Sequence, residues 1–314
     1  MRQPPSGEQF EIRFAGQRAT IVEVGGGIRS YRHGERDVLD PYPIEQICDG
    51  AHGAVLVPWP NRLADGSYEF DGQRLQVALS EPEKHNAIHG LLRWTSWHAL
   101  SHETDRVVMG ARLHPQPGYP FDLEVSVEYS LGEDGLIVVT GATNVGERPC
   151  PYGVGQHPYL SPGGARLDDC TLQLPAAGLI VTDPERSLPS GREPVAGGAL
   201  DFREPRLLGA LEIDSPFEHL IRDESGLATT RLTAPDGSCV ELWVDEAYPL
   251  LEVFTGDTLA PHRRRRGLGL EPMSCPPDAF RSGEHLLRLD PGESSRAAWG
   301  VRLRDFDGGH VGRS

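Results

Sequence analysis

The chain has 314 residues, enough to bury a substantial core as one large β domain or as two ordinary domains. Its 30 Lys and Arg against 46 Asp and Glu give a net charge of -16, which opposes non-specific adhesion to nucleic acid or to an anionic membrane and favours a neutral small solute as partner. No run of about 18 apolar residues offers a membrane-spanning helix. The first residues carry Glu8, Glu11 and Arg13 with no continuous apolar stretch, unlike a secretory signal, so cytoplasmic residence is the default expectation.

The first short strand is expected at Arg18 to Val24. Gly25-Gly26-Gly27 follows without the spacing, the Lys or the helix of a phosphate-cradling loop, and reads as a flexible β turn. Helical periodicity is nearly absent, with Pro43 to Cys48 a short candidate. Strands are expected at Tyr68 to Phe70 and Val107 to Leu113. From Phe121 through Leu131 apolar side chains alternate with Asp122, Glu124, Ser126, Glu128 and Ser130, the pattern of a strand with one buried and one wet face. The turn GEDG and the run LIVVTGATNV complete a hairpin with a four-residue loop, Gly132 to Gly135. Further strands are expected at Cys170 to Leu174, Thr229 to Thr233, Cys239 to Asp245, Leu250 to Phe254, Leu268 to Glu271 and Ser295 to Leu303. No composition shift marks a boundary, so the prediction is all-β: one large antiparallel sandwich over 1–314, with a core of about 11–304 and a Gly-rich tail, 305–314, that frays.

The 5 cysteines are widely spaced with no C-x-x-C pair and read as buried or idle thiols. Cys275, close to Glu271, is given no chemical role.

Several polar clusters sit beside turn residues rather than on a periodic core face. In Pro58-Trp59-Pro60-Asn61-Arg62 the prolines hold Trp59, Asn61 and Arg62 at fixed angles, as a sugar platform or as a rigid loop. His85 and His89, four apart, would share a helical face as metal ligands do. Pro82, Gly90 and the missing H-E-x-x-H glutamate argue against that, leaving His89 as a hydrogen-bonding residue in a turn. His157 lies in Gln156-His157-Pro158-Tyr159, where Pro158 excludes helical geometry and an imidazole can move a proton near neutrality. Asp214 stands on a turn set by Pro216. Glu271, inside the apolar GLGLEPM run, is either satisfied by backbone amides or tuned for proton transfer. His262 to Arg266, HRRRR, is a solvated loop or an anion site.

Taken in order, NR near residue 61, HG at 89, HPY at 157, DxxF at 214, and EP followed by PPDAF near 271 resemble the aldose 1-epimerase (mutarotase) family. The likeness runs from about Ala19 to Leu303. It implies an antiparallel β supersandwich of the galactose mutarotase type and an enzyme that interconverts the α and β anomers of a hexose. Glu271 then matches the general base for the anomeric hydroxyl, and His157 the acid for the ring oxygen. Arg62, His89 and Asp214 match residues that bind the sugar. The two catalytic groups are expected to face each other across one pocket at the width of a pyranose ring. The chemistry needs no metal, nucleotide or redox cofactor. A monosaccharide is the expected partner, and the assembly is a monomer or a homodimer.

His89-Gly90 is followed by Leu91-Leu92-Arg93-Trp94, a departure from the galactose-type pattern. Some relatives in the wider superfamily act on hexose 6-phosphates, and Arg93 or Arg263 to Arg266 would suit such an anion. From another class, a non-catalytic carbohydrate-binding sandwich would use Trp59 and Arg62 as a platform. Pure binding, however, needs neither His157 nor Glu271.

Overall fold

The computed structural model describes residues 3–304, and the 305–314 tail lies outside them. The principal strands are β1 (Gln9–Phe14), β2 (Gln17–Val22), β3 (Ile28–His33), β4 (Arg36–Leu39), β5 (Arg106–Leu113), β6 (Leu123–Gly132), β7 (Gly135–Asn144), β8 (Ala176–Thr182), β9 (Asp214–Leu220), β10 (Ala228–Thr233), β11 (Cys239–Val244), β12 (Leu250–Phe254), β13 (Leu268–Met273) and β14 (Ser294–Arg304). One sheet runs β1-β2-β3-β4, then the short strand Tyr159–Leu160, then β13-β12-β9-β8 and Pro189–Pro194. The second runs His98–His102, β5-β6-β7-β14-β11-β10, Thr171–Gln173 and Arg206–Leu207. This is the expected all-β antiparallel sandwich.

Period-two patterning builds the core. In β6, Leu123, Val125, Val127, Tyr129 and Leu131 are buried while the residues between them are partly or fully exposed. Burying each such side chain contributes about 1.5–3 kcal/mol. The main apolar core draws on residues from Phe10 to Val301.

Some local expectations change. Gly132 pairs with Gly135, so the β6–β7 turn is Glu133-Asp134 alone, with Gly135 at φ 93 completing the reversal. Pro43 to Cys48 is not helical, because Ile44 and Ile47 are exposed and no apolar face exists to bury. Asp214 does not stand on a Pro turn but opens β9, with Pro216 opposite Glu252 of β12. Pairing with β8 begins only at Phe217, so Pro216 has a strand neighbour on one side and its missing N–H breaks no ladder there. Strands β1, β3, β4, β8 and β9 were not anticipated.

Candidate active site

Every residue of β13 is buried, since the strand is central and covered on both faces. It pairs with β12 on one side, placing Glu252 directly opposite Glu271. On the other side Gly155 pairs with Met273 and Tyr159 with Gly269, a register that carries His157 to Glu271. His157 Nε2 lies 3.0 Å from Glu271 Oε1. The His157 backbone is tied on both sides, its N–H donating to Ala54 O at 3.1 Å and its carbonyl accepting from Gly53 N–H at 2.9 Å. Its ring stacks on Tyr159 (4.9 Å, 16°), which stacks on His52 (3.7 Å, 2°). Among the described residues, His157 Nδ1 and Glu271 Oε2 have no hydrogen-bond partner.

The two groups therefore touch, rather than standing a pyranose width apart as expected.

Asn61, at φ 54, ties the next wall together. Its backbone N–H donates to His89 Nδ1 at 3.2 Å, and its carbonyl accepts from the His89 N–H at 2.9 Å. Its side chain is also engaged: Nδ2 donates to Glu252 Oε2 at 3.1 Å and Oδ1 accepts from Arg62 N–H at 2.8 Å. Gly90 must follow His89, because at φ 69 a Cβ there would stand 2.1 Å from Val57 O. His89 and His157 meet edge to face at 5.4 Å.

These residues border a cleft of about 550 Å³ that also contains Arg62, Asp214, Arg93 and Trp94. The Arg62 guanidinium grips Glu81 through Nε and Nη2 at 3.0 and 3.1 Å, with Nη2 3.9 Å from Asp214 Oδ2. Arg93 has no carboxylate partner among the described residues and lies 5.3 Å over the Trp94 ring. A larger depression, about 720 Å³, lies against the second sheet, where Gly110, Gly141 and Ala142 give it a smooth lining. It contains none of the residues singled out in the sequence.

Several assignments are corrected. Trp59 is no sugar platform: only 2 % exposed, it packs on Phe280 within the core, whereas Trp94 and Phe254 line the cleft. His85 does not join His89, because the strand Asn86–Ile88 separates them and His85 bonds Asp65 Oδ1 at 2.9 Å. The HRRRR run lies outside the cleft. Arg263 is buried against Asp40 and Asp49, Arg265 pairs with Asp168 and Asp257, and Arg266 with Asp40. These arginines anchor loops. Cys275 is buried away from the cleft lining, whereas Cys48 borders it with a thiol pushed by burial up to about 12.

Glu252 was missed. Its signal was available: LLEVF sets one carboxyl in an apolar run, as GLGLEPM does for Glu271. Burial, then Asp214 and Glu271, hold the Glu252 carboxyl well above the usual range and favour its protonated form. Burial and the neighbouring Arg93, His157 and Arg62 hold His89 well below 6.5, so it is neutral. With Nδ1 accepting from Asn61, the His89 proton sits on Nε2, which makes that nitrogen a donor. His89, His157 and Glu271 bring ligand-type atoms within 4.8 Å of one another, the spacing of a metal site. His89 in this tautomer offers no free lone pair to a metal.

The antiparallel sandwich and its His157–Glu271 cleft can be set beside known proteins, and the comparison gives the family. The family model described as Aldose 1-epimerase matches residues 8–301, and the chain belongs to that family. It is 35% identical over 298 residues to the uncharacterised protein YihR of Escherichia coli K12, covering 94% of this chain and 93% of YihR. It is 30% identical to the aldose 1-epimerase of the same organism, covering 76% and 78%. A solved aldose epimerase homologue from C. elegans superposes with TM-score 0.83 at 18% identity, covering 95% and 98%, and establishes the likeness of fold.

Proposed function

We propose that this chain is an aldose 1-epimerase that interconverts the α and β anomers of a free hexose by general acid–base catalysis. The observation that carries it is the 3.0 Å contact between His157 Nε2 and Glu271 Oε1 at the cleft. Glu271 removes the proton from the hydroxyl on C1 while His157 protonates the ring oxygen. The C1–ring oxygen bond breaks and leaves an open-chain aldehyde. Rotation about C1–C2 exposes the other carbonyl face. The ring hydroxyl then adds, returning its proton to His157 as Glu271 protonates the carbonyl oxygen, so the chain ends in its starting state. Acid–base help of this kind contributes about 10²- to 10⁴-fold.

His89 Nε2–H and Arg62 are donors for sugar hydroxyls, and Asp214 is an acceptor. Asn61 contributes through His89 and Glu252 rather than through its own engaged carboxamide. Every named group comes from one chain, which suits a monomer or a homodimer, and the net charge of -16 suits a soluble cytoplasmic enzyme acting on a small solute.

Exchange NMR or polarimetry on freshly dissolved α-glucose, α-galactose and glucose 6-phosphate tests the proposal. Equilibration faster than buffer is expected for at least one sugar, and buffer rates for all three would overturn it for those substrates. A second reading, an anionic sugar as substrate, is favoured by Arg93, a cation at the cleft with no carboxylate partner among the described residues.

A further inference from the structure

We propose that Glu252 is a positioning residue of this site, a second carboxyl that holds Asn61, and through it His89, in place beside Glu271 without touching the sugar. The proposal rests on the epimerase function above and extends it to a residue outside the family motifs.

The geometry is a matter of register. Glu252 on β12 stands directly opposite Glu271 on β13, and Pro216 on β9 faces it from the other side. It is 2 % exposed, so its carboxyl is satisfied by protein. Asn61 Nδ2 donates to Oε2 at 3.1 Å, and the Asp214 carboxyl lies near enough to raise its proton affinity. The charged groups facing it are Asp214 from β9, Glu271 from β13 and Arg62 from the loop that carries Asn61. Only Arg62 is a cation, and its guanidinium already grips Glu81.

Glu252 is buried whereas Asp214 is exposed, and burial together with the nearby Asp214 and Glu271 carboxyls favours the protonated form of Glu252, since like charges at this range disfavour each other. Its Oε2 accepts from Asn61. One consequence follows. Asn61 is pinned by its side chain, so its backbone N–H stays aimed at His89 Nδ1.

Glutamine reproduces a protonated glutamic acid here: its carbonyl accepts from Asn61 and it carries no charge. Leucine removes that bond. Glu252→Leu is therefore expected to lower kcat by about 10²-fold through misplaced groups, and Glu252→Gln to restore most of that loss. Wild type is expected to lose kcat at alkaline pH as Glu252 ionises beside Glu271, and Glu252→Gln to lack that limb.

Infrared difference spectra at neutral pH provide a readout independent of turnover. A protonated-carboxyl band is expected in wild type and absent in Glu252→Gln, with circular dichroism confirming that both fold. An unchanged band, a Glu252→Leu variant as active as wild type, or a Glu252→Gln variant as impaired as Glu252→Leu would overturn the proposal. Wild type inactive on every sugar, with the band still lost in Glu252→Gln, would instead overturn the epimerase function and leave the proton on Glu252.

Discussion

Asn61 and His89 hold each other by reciprocal backbone-anchored bonds: Asn61 N–H donates to His89 Nδ1 at 3.2 Å, and His89 N–H donates to the Asn61 carbonyl at 2.9 Å. The pair fixes a tautomer. With the proton on Nε2 and its charged form disfavoured by burial, His89 is a permanent neutral donor at the cleft. His89→Ala is expected to lower kcat/KM by about tenfold or more, the cost of one lost hydrogen bond of about 1.5 kcal/mol, with His89→Gln less impaired because its amide still donates. Steady-state anomer exchange measures both. The depressed folded-state affinity also has a stability sign. The unfolded chain binds a proton below 6.5 that the native His89 does not, so stability contributed by neutral His89 falls as pH drops below 6.5. In His89→Gln, this part of the acid limb in thermal melts is expected to vanish.

Glu271→Gln and His157→Gln should each reduce turnover by at least about 10²-fold while leaving the strands intact. Because the proposed function sets both groups on one hemiacetal, and His157 Nε2 lies 3.0 Å from Glu271 Oε1, their losses should not add. A double variant no slower than the worse single one is the expected result, read by exchange NMR. Additive losses would mean that the two residues act independently.

Much of this site is legible in the sequence because turn chemistry marks it: Pro158 beside His157, Pro272 beside Glu271 and Gly90 beside His89 single out polar residues that a periodic core would not carry. The paired long strands β6 and β7 are equally legible from alternation. What cannot be read is anything set by register or by distant partners. Glu252 gains its meaning only from the pairing of β12 with β13. Arg263, Arg265 and Arg266 look like an anion site until Asp40, Asp168 and Asp257 arrive from elsewhere in the chain. Trp59 and Trp94 differ in burial because of what packs on them: Phe280 covers Trp59, whereas Trp94 stays 55% exposed.

Glu252 also predicts a stability trend opposite to that of an ordinary paired carboxylate. Its native proton affinity is raised above 4.5, so the folded state binds a proton that the unfolded chain releases. Stability from this residue is therefore greatest below 4.5 and declines as pH rises towards the native value. Glu252→Gln is expected to flatten that decline and to be at least as stable as wild type near neutrality. Urea titrations at acidic, neutral and alkaline pH decide the matter, and a variant that loses stability in parallel with wild type would remove Glu252 as the source.

Arg93 and Arg263 separate binding from stability. Arg263, 2 % exposed, has Nη1 3.5 Å from Asp40 Oδ2 and Nε 3.4 Å from Asp49 Oδ1, beneath the loop that borders the cleft. Arg263→Met removes the buried cation between Asp40 and Asp49 and its 2.8 Å bond to Pro41 O, while Arg266 and His52 stay on Asp40. It should therefore lower the thermal midpoint. Arg93 has no such partner, and burial already disfavours its charge. Arg93→Gln should leave the melt nearly unchanged. If the substrate is anionic, the same change removes the charge-assisted contact and lowers kcat/KM for an acidic sugar by about 10-fold or more, while a neutral hexose loses little. Comparing glucose with glucose 6-phosphate in the Arg93→Gln variant gives the answer: equal losses on both would place Arg93 among the general hydroxyl contacts, and a selective loss would assign it to an anionic group.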